Sequence, residues 1–294
     1  MIGVQSCTVD DPNFVGETEY DLIRWEIGRA GRPATRPFAL GAGLTIGGAA
    51  IVIMAGPCSV ESETQLRAAA RAAKESGASV LRGGAFKPRT SPHSFQGLGA
   101  EGLRILRAVG DECGMLVVTE IIAHTDVELV AKHADILQIG TRNMHNTPLL
   151  HAVGELEKPV LLKRGYAARL EEWLGAADHV RSRGNGRVIM CERGVRGLET
   201  VTRYTLDVNA VPAMHRLCDL PVVVDPSHAA GRSDIVAELS RAALAAGADG
   251  LLIELHPNPA NAQSDGQQSL APDEFAALMP SLRRIAEAIG RTIA

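Results

Sequence analysis

The sequence lacks the features that mark membrane, secreted and general nucleic-acid-binding proteins. Its net charge is −4, whereas proteins that bind nucleic acids or anionic membranes are normally basic. No apolar run approaches the roughly 18 residues that a membrane span needs, and no secretory signal pattern is visible at the N-terminus. The five cysteines are scattered, which favours reduced thiols over a disulfide framework. We therefore expect a cytoplasmic protein with no membrane or nucleic-acid partner.

What the sequence does contain is a regular alternation of short apolar runs and longer helix-like segments from residue 51 onward. The runs are continuously apolar, which is typical of strands buried on both faces of a parallel sheet. Eight strand–helix units match a (β/α)₈ TIM barrel in number and size, with a doubly wound open sheet as the alternative. The eight runs are IVIMAGP, SVLRGGAF, MLVVTEI, DILQIG, PVLLKRG, RVIMCERG, PVVVDPSH and GLLIELHP.

Two segments precede the predicted barrel. The stretch FALGAGLTIGG at 38–48 predicts a hairpin that covers the bottom of the barrel. Residues 1–37 are too few to fold alone, and we interpret them as an arm that packs on the barrel or on a neighbouring subunit. The predicted organisation is an arm at 1–37 and a catalytic barrel, including the hairpin, at 38–294.

Barrel enzymes place their chemistry at the carboxyl ends of the strands, and potential metal ligands collect there on one side. Cys58 follows the first predicted strand, His228 the seventh and Glu254 the eighth, with Asp265 on the loop beyond. Each residue alone is more often a hydrogen-bonded structural residue, but the four together favour a metal site. One sulfur, one nitrogen and two oxygen ligands indicate a divalent transition metal (Mn, Fe, Co, Zn or Cu) rather than Mg²⁺ or Ca²⁺.

Cations collect at the carboxyl ends of the second, fourth, fifth and sixth strands. Like charges that converge in this way would repel one another, so we expect substrate anions with phosphate and carboxylate groups to match their charge. A metal beside such an anion favours Lewis-acid activation of a carbonyl over phosphate-ester hydrolysis. Arg164 and Arg196 are instead expected to form surface salt bridges. The predicted anion-binding residues are Arg82, Lys87, Arg142, Lys163 and Arg193.

Ordered motifs from residue 38 to about 290 resemble the type I 3-deoxy-D-arabino-heptulosonate 7-phosphate (DAHP) synthases, in the subgroup closest to 3-deoxy-manno-octulosonate 8-phosphate synthases. The resemblance implies condensation of phosphoenolpyruvate (PEP) with erythrose 4-phosphate, the first step of the shikimate pathway. It also implies a homo-oligomer, either a dimer or a tetramer. The motifs are AGPCSVES, LRGGAFKPRTSP, SFQGLG, QIGTRN, KPVLLKRG, CERG, DPSHAAGR and SDGQQSL.

The resemblance implies the same four metal ligands and assigns PEP to the five cations named above. It adds Arg89 and Thr90 as contacts for the aldose phosphate, and it places Glu120 near the water that attacks PEP. Lys87 and Lys163 would supply protons or balance charge. The residues implied to be catalytic are Lys87, Lys163, Glu120 and His228.

Two alternatives stay open. The sister octulosonate synthases, which use arabinose 5-phosphate, typically carry KANRS where this chain has KPRTS. Because Pro88 fixes φ and removes a backbone donor, the loop is expected to present Arg89 at a reach that suits the shorter sugar. A catalytically silent barrel that binds phosphometabolites would be expected to lack at least one ligand or cation, and none is missing.

Overall fold

The computed structural model of the chain describes residues 34–87 and 93–294. Arg89 and Thr90 therefore lie outside the described residues. The predicted arm at 1–37 also lies outside them, apart from its last residues, 34–37. The backbone N–H of Arg36 donates to the carbonyl of Asp219, so this short piece runs along the barrel.

Eight parallel strands close into a barrel, which confirms the predicted fold and excludes the open sheet. Each strand pairs with the next one along the chain, and the last pairs with the first, from Gly250 opposite Val52 to Glu254 opposite Gly56. The barrel strands are β3 (Ala50–Gly56), β4 (Val80–Arg82), β5 (Leu116–Ile121), β6 (Ile136–Ile139), β7 (Val160–Lys163), β8 (Val188–Glu192), β9 (Val222–Val224) and β10 (Gly250–Glu254).

Helices follow the barrel strands, and local signals set their ends. The first helix begins where the side chain of Ser62 accepts a hydrogen bond from the Gln65 N–H, and it ends at Gly77 in the left-handed conformation. No helix within the described residues is long and apolar enough to span a membrane. The helices are α1 (Glu63–Ser76), α2 (Gly99–Cys113), α3 (Val127–Ala131), α4 (Thr147–Gly154), α5 (Leu170–Arg181), α6 (Ala210–Leu217), α7 (Pro226–Ala230), α8 (Val236–Ala245) and α9 (Pro272–Ala288).

The hairpin predicted at 38–48 forms and covers the bottom of the barrel. Its strands are β1 (Phe38–Gly41) and β2 (Leu44–Ile46), paired antiparallel. Leu40 and Ile46 are buried in one cluster with side chains from every barrel strand. Since burial of such a side chain contributes about 2 kcal/mol, the hairpin closes an apolar interior and leaves the opposite end for polar residues.

A buried polar network joins the C-terminus to the bottom of the barrel. Asp249 Oδ2 lies 2.9 Å from His215 Nε2 and accepts a 2.8 Å hydrogen bond from the Val222 N–H. Its Oδ1 accepts from Arg291 at 3.0 Å. The short strand β11 (Thr292–Ile293) then pairs with β3. A single carboxylate therefore ties α6, β9 and the C-terminal strand together.

Replacement of Asp249 by Ala is expected to destabilise the protein by about 3 kcal/mol, because a buried histidine and arginine lose their common partner. Denaturant-induced unfolding measures the change. Asp234→Ala is the control, since it also breaks an arginine–carboxylate pair, but on the exposed surface, and its loss should be much smaller. Equal losses in the two variants would contradict the role given to Asp249.

Candidate active site

The four predicted metal ligands converge at the carboxyl end of the barrel. Cys58 follows β3, His228 lies in α7 after β9, Glu254 ends β10 and Asp265 lies on the loop between β10 and α9. One ligand atom from each residue lies within 4.8 Å of the others. The set of one sulfur, one nitrogen and two oxygens fits a divalent transition metal better than Mg²⁺ or Ca²⁺.

Cys58 and Asp265 are in direct contact. The Cys58 Sγ lies 3.1 Å from Asp265 Oδ2 and 3.1 Å from Ser264 Oγ. Burial, together with the negative charge of Glu254, raises the pKa of the Cys58 thiol to about 12, so the thiol is protonated at neutral pH. Asp265 adopts the left-handed conformation with φ 52°, which costs a non-glycine residue of order 1 kcal/mol. Its surroundings must therefore hold it in place.

Asp225 orients His228 through both backbone and ring. As the N-cap of α7, Asp225 accepts a 2.9 Å hydrogen bond from the His228 N–H, and its Oδ2 lies 2.8 Å from His228 Nδ1. The other ring nitrogen, Nε2, lies 3.5 Å from Glu254 Oε1. Burial lowers the pKa of His228, so its imidazole is neutral. Nδ1 faces Asp225 and Nε2 faces the cluster, which is the orientation that a metal ligand requires.

Arg82 links the predicted anion pocket to the predicted metal site. Its side chain is buried, and Nη1 donates to Glu254 Oε1 at 2.7 Å and to the Pro57 carbonyl at 2.9 Å. Burial works against the charge, yet Glu254 raises the pKa of Arg82. Its Nε has no hydrogen-bond partner among the described residues. Arg82 is thus charged and fixed, and its Nε–H has no partner among the described residues.

Two lysines at this end of the barrel also contact protein groups, but only Lys163 has a carboxylate partner. Lys163 Nζ donates to Asp225 Oδ2 at 2.5 Å, and Lys87 Nζ donates to Cys58 Sγ at 2.9 Å. Burial disfavours the carboxylate charge, but His228 and Lys163 hold the pKa of Asp225 well below its usual value. The expectation that substrate anions rather than protein groups match these cations is therefore wrong for Arg82 and Lys163. A buried charge requires a partner, and strands two places away around the barrel supply the carboxylates.

Arg193 is held by aromatic rings instead of a carboxylate. Its guanidinium lies 4.3 Å from the centroid of Tyr204 and 5.3 Å from that of Tyr166, and the two rings stack on each other. The side chain is buried, and neither Nε nor Nη1 has a hydrogen-bond partner among the described residues. A buried guanidinium with free donors is suited to bind a carboxylate or phosphate.

Glu120 lies near the end of β5, and its position depends on a glycine. Its Oε2 accepts a 3.3 Å hydrogen bond from the Gln138 amide. A Cβ at Gly140 would lie only 1.9 Å from Glu120 Oε1, although the backbone there has an ordinary φ of −70°. The carboxylate therefore occupies space that a side chain at position 140, directly after β6, would otherwise take. The pocket around it is lined by Cys58, Arg82, Gly83, Gly84, Lys87, Val118, Thr119, Glu120 and Gln138.

Arg164 forms a salt bridge, as expected, but the prediction that it lies on the surface is wrong. Arg164 is buried and pairs with Glu192 at 2.9 Å and Asp207 at 2.8 Å. The loop that carries Asp207 folds over the strand end, so the pair is shielded from water.

Arg196 and Arg142 are both exposed to solvent. Arg196 is exposed, as expected, but it lies over the ring of Tyr166 and forms no salt bridge with any described residue. Arg142 lies in the short 3₁₀ turn Thr141–Asn143 after β6, where it is exposed. It therefore shares the carboxyl end of the barrel with the cluster but lies nearer to solvent than Arg82 or Arg193.

Three side chains of the site have no role assigned from the sequence. Gln138, Ser264 and Tyr204 contact Glu120, Cys58 and the guanidinium of Arg193. Gln138 and Ser264 lie in the motifs QIGTRN and SDGQQSL, but the motifs do not show what these side chains contact. Asp225 does carry a signal, because Asp before Pro-Ser-His is typical of an N-cap with proline at the first helical position.

Similarity to known proteins identifies the family of the chain. The sequence profile of the DAHP synthetase I family matches residues 35–290. The chain belongs to this family. It is 50% identical over 245 residues to the phospho-2-dehydro-3-deoxyheptonate aldolase of Thermotoga maritima, covering 83% of this chain and 72% of that protein. It is 36% identical over 242 residues to a 2-dehydro-3-deoxyphosphooctonate aldolase of Syntrophotalea carbinolica, covering 76% and 86%.

Solved structures agree with the sequence relatives. The crystal structure of the Thermotoga maritima DAHP synthase superposes with a TM-score of 0.86 at 48% identity, covering 88% of this chain and 76% of that one. A truncated form of the same enzyme gives a TM-score of 0.83 at 44% identity and is covered to 95%. The resemblance inferred from the motifs is confirmed, and with it the assignment of the chain as an enzyme, a 3-deoxy-7-phosphoheptulonate synthase.

Replacement of Gly140 by Ala is expected to lower kcat/KM by about a hundredfold, because the new methyl group displaces the Glu120 carboxylate by more than an ångström. The flexible end of Glu120 can swing away, so the unfolding midpoint should change little. Steady-state kinetics and a thermal melt measure the two effects. Gly175→Ala is the control, since nothing lies within 4 Å of its added Cβ. An unchanged kcat/KM in Gly140→Ala would contradict a role for Glu120.

Proposed function

We propose that this enzyme condenses PEP with erythrose 4-phosphate to give DAHP and phosphate, with the help of one divalent metal ion. The observation that carries the proposal is the meeting of two sites at one end of the barrel. Ligand atoms of Cys58, His228, Glu254 and Asp265 lie within 4.8 Å of one another. Beside them, the buried guanidinium of Arg193 has donors without a partner among the described residues.

The four cluster residues would hold the metal, and their geometry supports this role. His228 is neutral and oriented by Asp225, and Arg82 holds one oxygen of Glu254. The bound ion would act as a Lewis acid that polarises the aldehyde carbonyl of the sugar. A catalytically silent barrel is disfavoured, because each predicted ligand and each described cation is present at the carboxyl end.

PEP would lie against the cations of the pocket. Arg193 and Arg82 present free guanidinium nitrogens to its phosphate and carboxylate groups, and planar guanidinium groups suit both anions. Lys87 and Lys163 border the same end of the barrel, where each contacts the metal cluster or its support. Arg142 would complete the pocket from the solvent side, and Arg89 and Thr90 would contact the phosphate of the sugar.

In the reaction, C3 of PEP attacks the aldehyde carbon, and a water molecule adds to C2. The resulting hemiketal phosphate then loses phosphate by cleavage of the C–O bond. Glu120 lines the pocket with Lys87 and Arg82, so it would orient the water and accept its proton. Lys87 or Lys163 would donate a proton to the oxygen that was the aldehyde.

Residues 38–294 would form the catalytic barrel with its hairpin, and residues 1–37 would form an arm. The enzyme would work in the cytoplasm as a homo-oligomer, either a dimer or a tetramer, as the family resemblance implies.

Erythrose 4-phosphate is the proposed sugar, because identity is higher to the heptonate aldolase than to the octonate aldolase, at 50% against 36%. We expect phosphate release from PEP to show a kcat/KM about tenfold or more higher with erythrose 4-phosphate than with arabinose 5-phosphate, since a site shaped for one chain length disfavours another. A higher kcat/KM with arabinose 5-phosphate would contradict this proposal and assign the octulosonate synthase activity to the enzyme.

Removal of the metal is expected to abolish activity, and a divalent transition metal should restore it. Cys58→Ser should weaken metal binding by at least about 100-fold, because it removes the sulfur ligand. Metal content per chain after dialysis, measured with the rate of PEP consumption, checks both effects. Cys113→Ser is the matched control, as Cys113 ends α2 away from the cluster. Full activity after chelation would refute the metal requirement.

A further inference from the structure

Gln268 lies directly behind the cluster and contacts a predicted metal ligand. It is fully buried in the 3₁₀ turn Gly266–Gln268 that follows Asp265. Its Nε2 donates to Glu254 Oε2 at 2.7 Å, and its Oε1 accepts from Arg203 Nη1 at 3.1 Å. The Gln268 amide therefore donates to Glu254 and accepts from Arg203.

Arg203, from the loop that follows β8, contacts Gln268 and the carboxylate of Asp265. Its Nη1 lies 3.5 Å from Asp265 Oδ1, in addition to the hydrogen bond to Gln268. Its backbone N–H donates to the Ala230 carbonyl at 2.9 Å. A Cβ at Gly231 would lie 2.4 Å from the Arg203 Cβ, so the backbone of Arg203 packs closely against the end of α7.

We propose that Gln268 and Arg203 are positioning residues that set the orientation of Glu254 and Asp265 for metal binding. The terminal torsion of a glutamate is soft, and Glu254 is fixed because Arg82 holds Oε1 while Gln268 holds Oε2. Asp265 has a left-handed backbone that its surroundings must hold. The proposal rests on the metal-binding role proposed above for these two carboxylates.

The chemistry at position 268 demands an amide. An ionised glutamate cannot donate to Glu254 and would repel it, and methionine offers neither a strong donor nor a strong acceptor. Hydrogen-bond partners behind metal ligands typically change metal affinity by 10–100-fold when they are removed. The pair therefore acts through the ligands, without touching the metal or the substrate.

The test measures Co²⁺ binding to metal-free protein by equilibrium dialysis, together with the thiolate-to-cobalt absorption band that reports the Cys58 ligand. We expect Gln268→Met and Arg203→Met each to weaken Co²⁺ binding by about 10–100-fold. The double variant should lose less than the product of the two single losses, because both act through one network. At saturating Co²⁺ the absorption band should persist, which shows that Cys58 still binds.

Two matched controls make the same chemical changes nearby. Gln267→Met alters the exposed neighbouring amide, and Arg196→Met alters an exposed arginine on the same loop as Arg203. Both should bind Co²⁺ as the wild type does. If Gln268→Met does not fold, Arg203→Met decides the question, since the Arg203 side chain is 35% exposed and tolerates replacement.

The outcomes separate this inference from the proposed function. Wild-type protein that binds no Co²⁺ would overturn the proposed metal site itself. If the wild type binds Co²⁺ and the folded Arg203→Met variant binds it with the same affinity, only the positioning role is overturned. Equal weakening in the controls would likewise reject it, because the effect would then not depend on the contacts with Glu254 and Asp265.

Discussion

The pairing of β10 with β3 is the interaction on which the arrangement of the site depends. Glu254 lies opposite Gly56 at the carboxyl ends of these strands, so the segment that carries Cys58 runs beside the strand that carries Glu254. In an open sheet these strands would lie at opposite edges, and their side chains could not share one ion. On its other side β3 approaches β4 so closely that Gly56 must be a glycine, because a Cβ there would lie 2.1 Å from the Arg82 carbonyl oxygen.

Charge joins the two halves of the site into one unit. Glu254 accepts from Arg82, and Asp225 accepts from Lys163, and all four side chains are buried. Removal of either partner of such a pair strands a charge at low dielectric, which is strongly destabilising. Glu254 and Asp225 therefore keep Arg82 and Lys163 charged and in fixed positions.

A single loop also reaches both halves. The segment after β8 carries Arg193, whose guanidinium rests on the ring of Tyr204. Arg203, which directly precedes Tyr204 in the chain, contacts Asp265 and Gln268. The backbone N–H groups of Arg203 and Tyr204 donate to the carbonyls of Ala230 and Ala229 in α7. The loop is thus anchored to the helix that carries His228, and it brings Arg193 against the tyrosine rings and Arg203 against Asp265.

The sequence alone predicted the eight strands and the strand-end residues, because hydrophobic periodicity is local and parallel strands direct their carboxyl ends to one face. The number of strands favoured a barrel, but only the pairing of β10 with β3 excluded an open sheet. Tertiary structure decided which charges pair. Arg164 looks like a surface residue in the sequence, but Asp207, 43 positions further along, folds over it. Gln268 lies in the motif SDGQQSL, but its role depends on contacts with Glu254 of β10 and Arg203 of the loop after β8. Partner choice depends on distances between residues far apart in the chain, and only the closed barrel sets those distances.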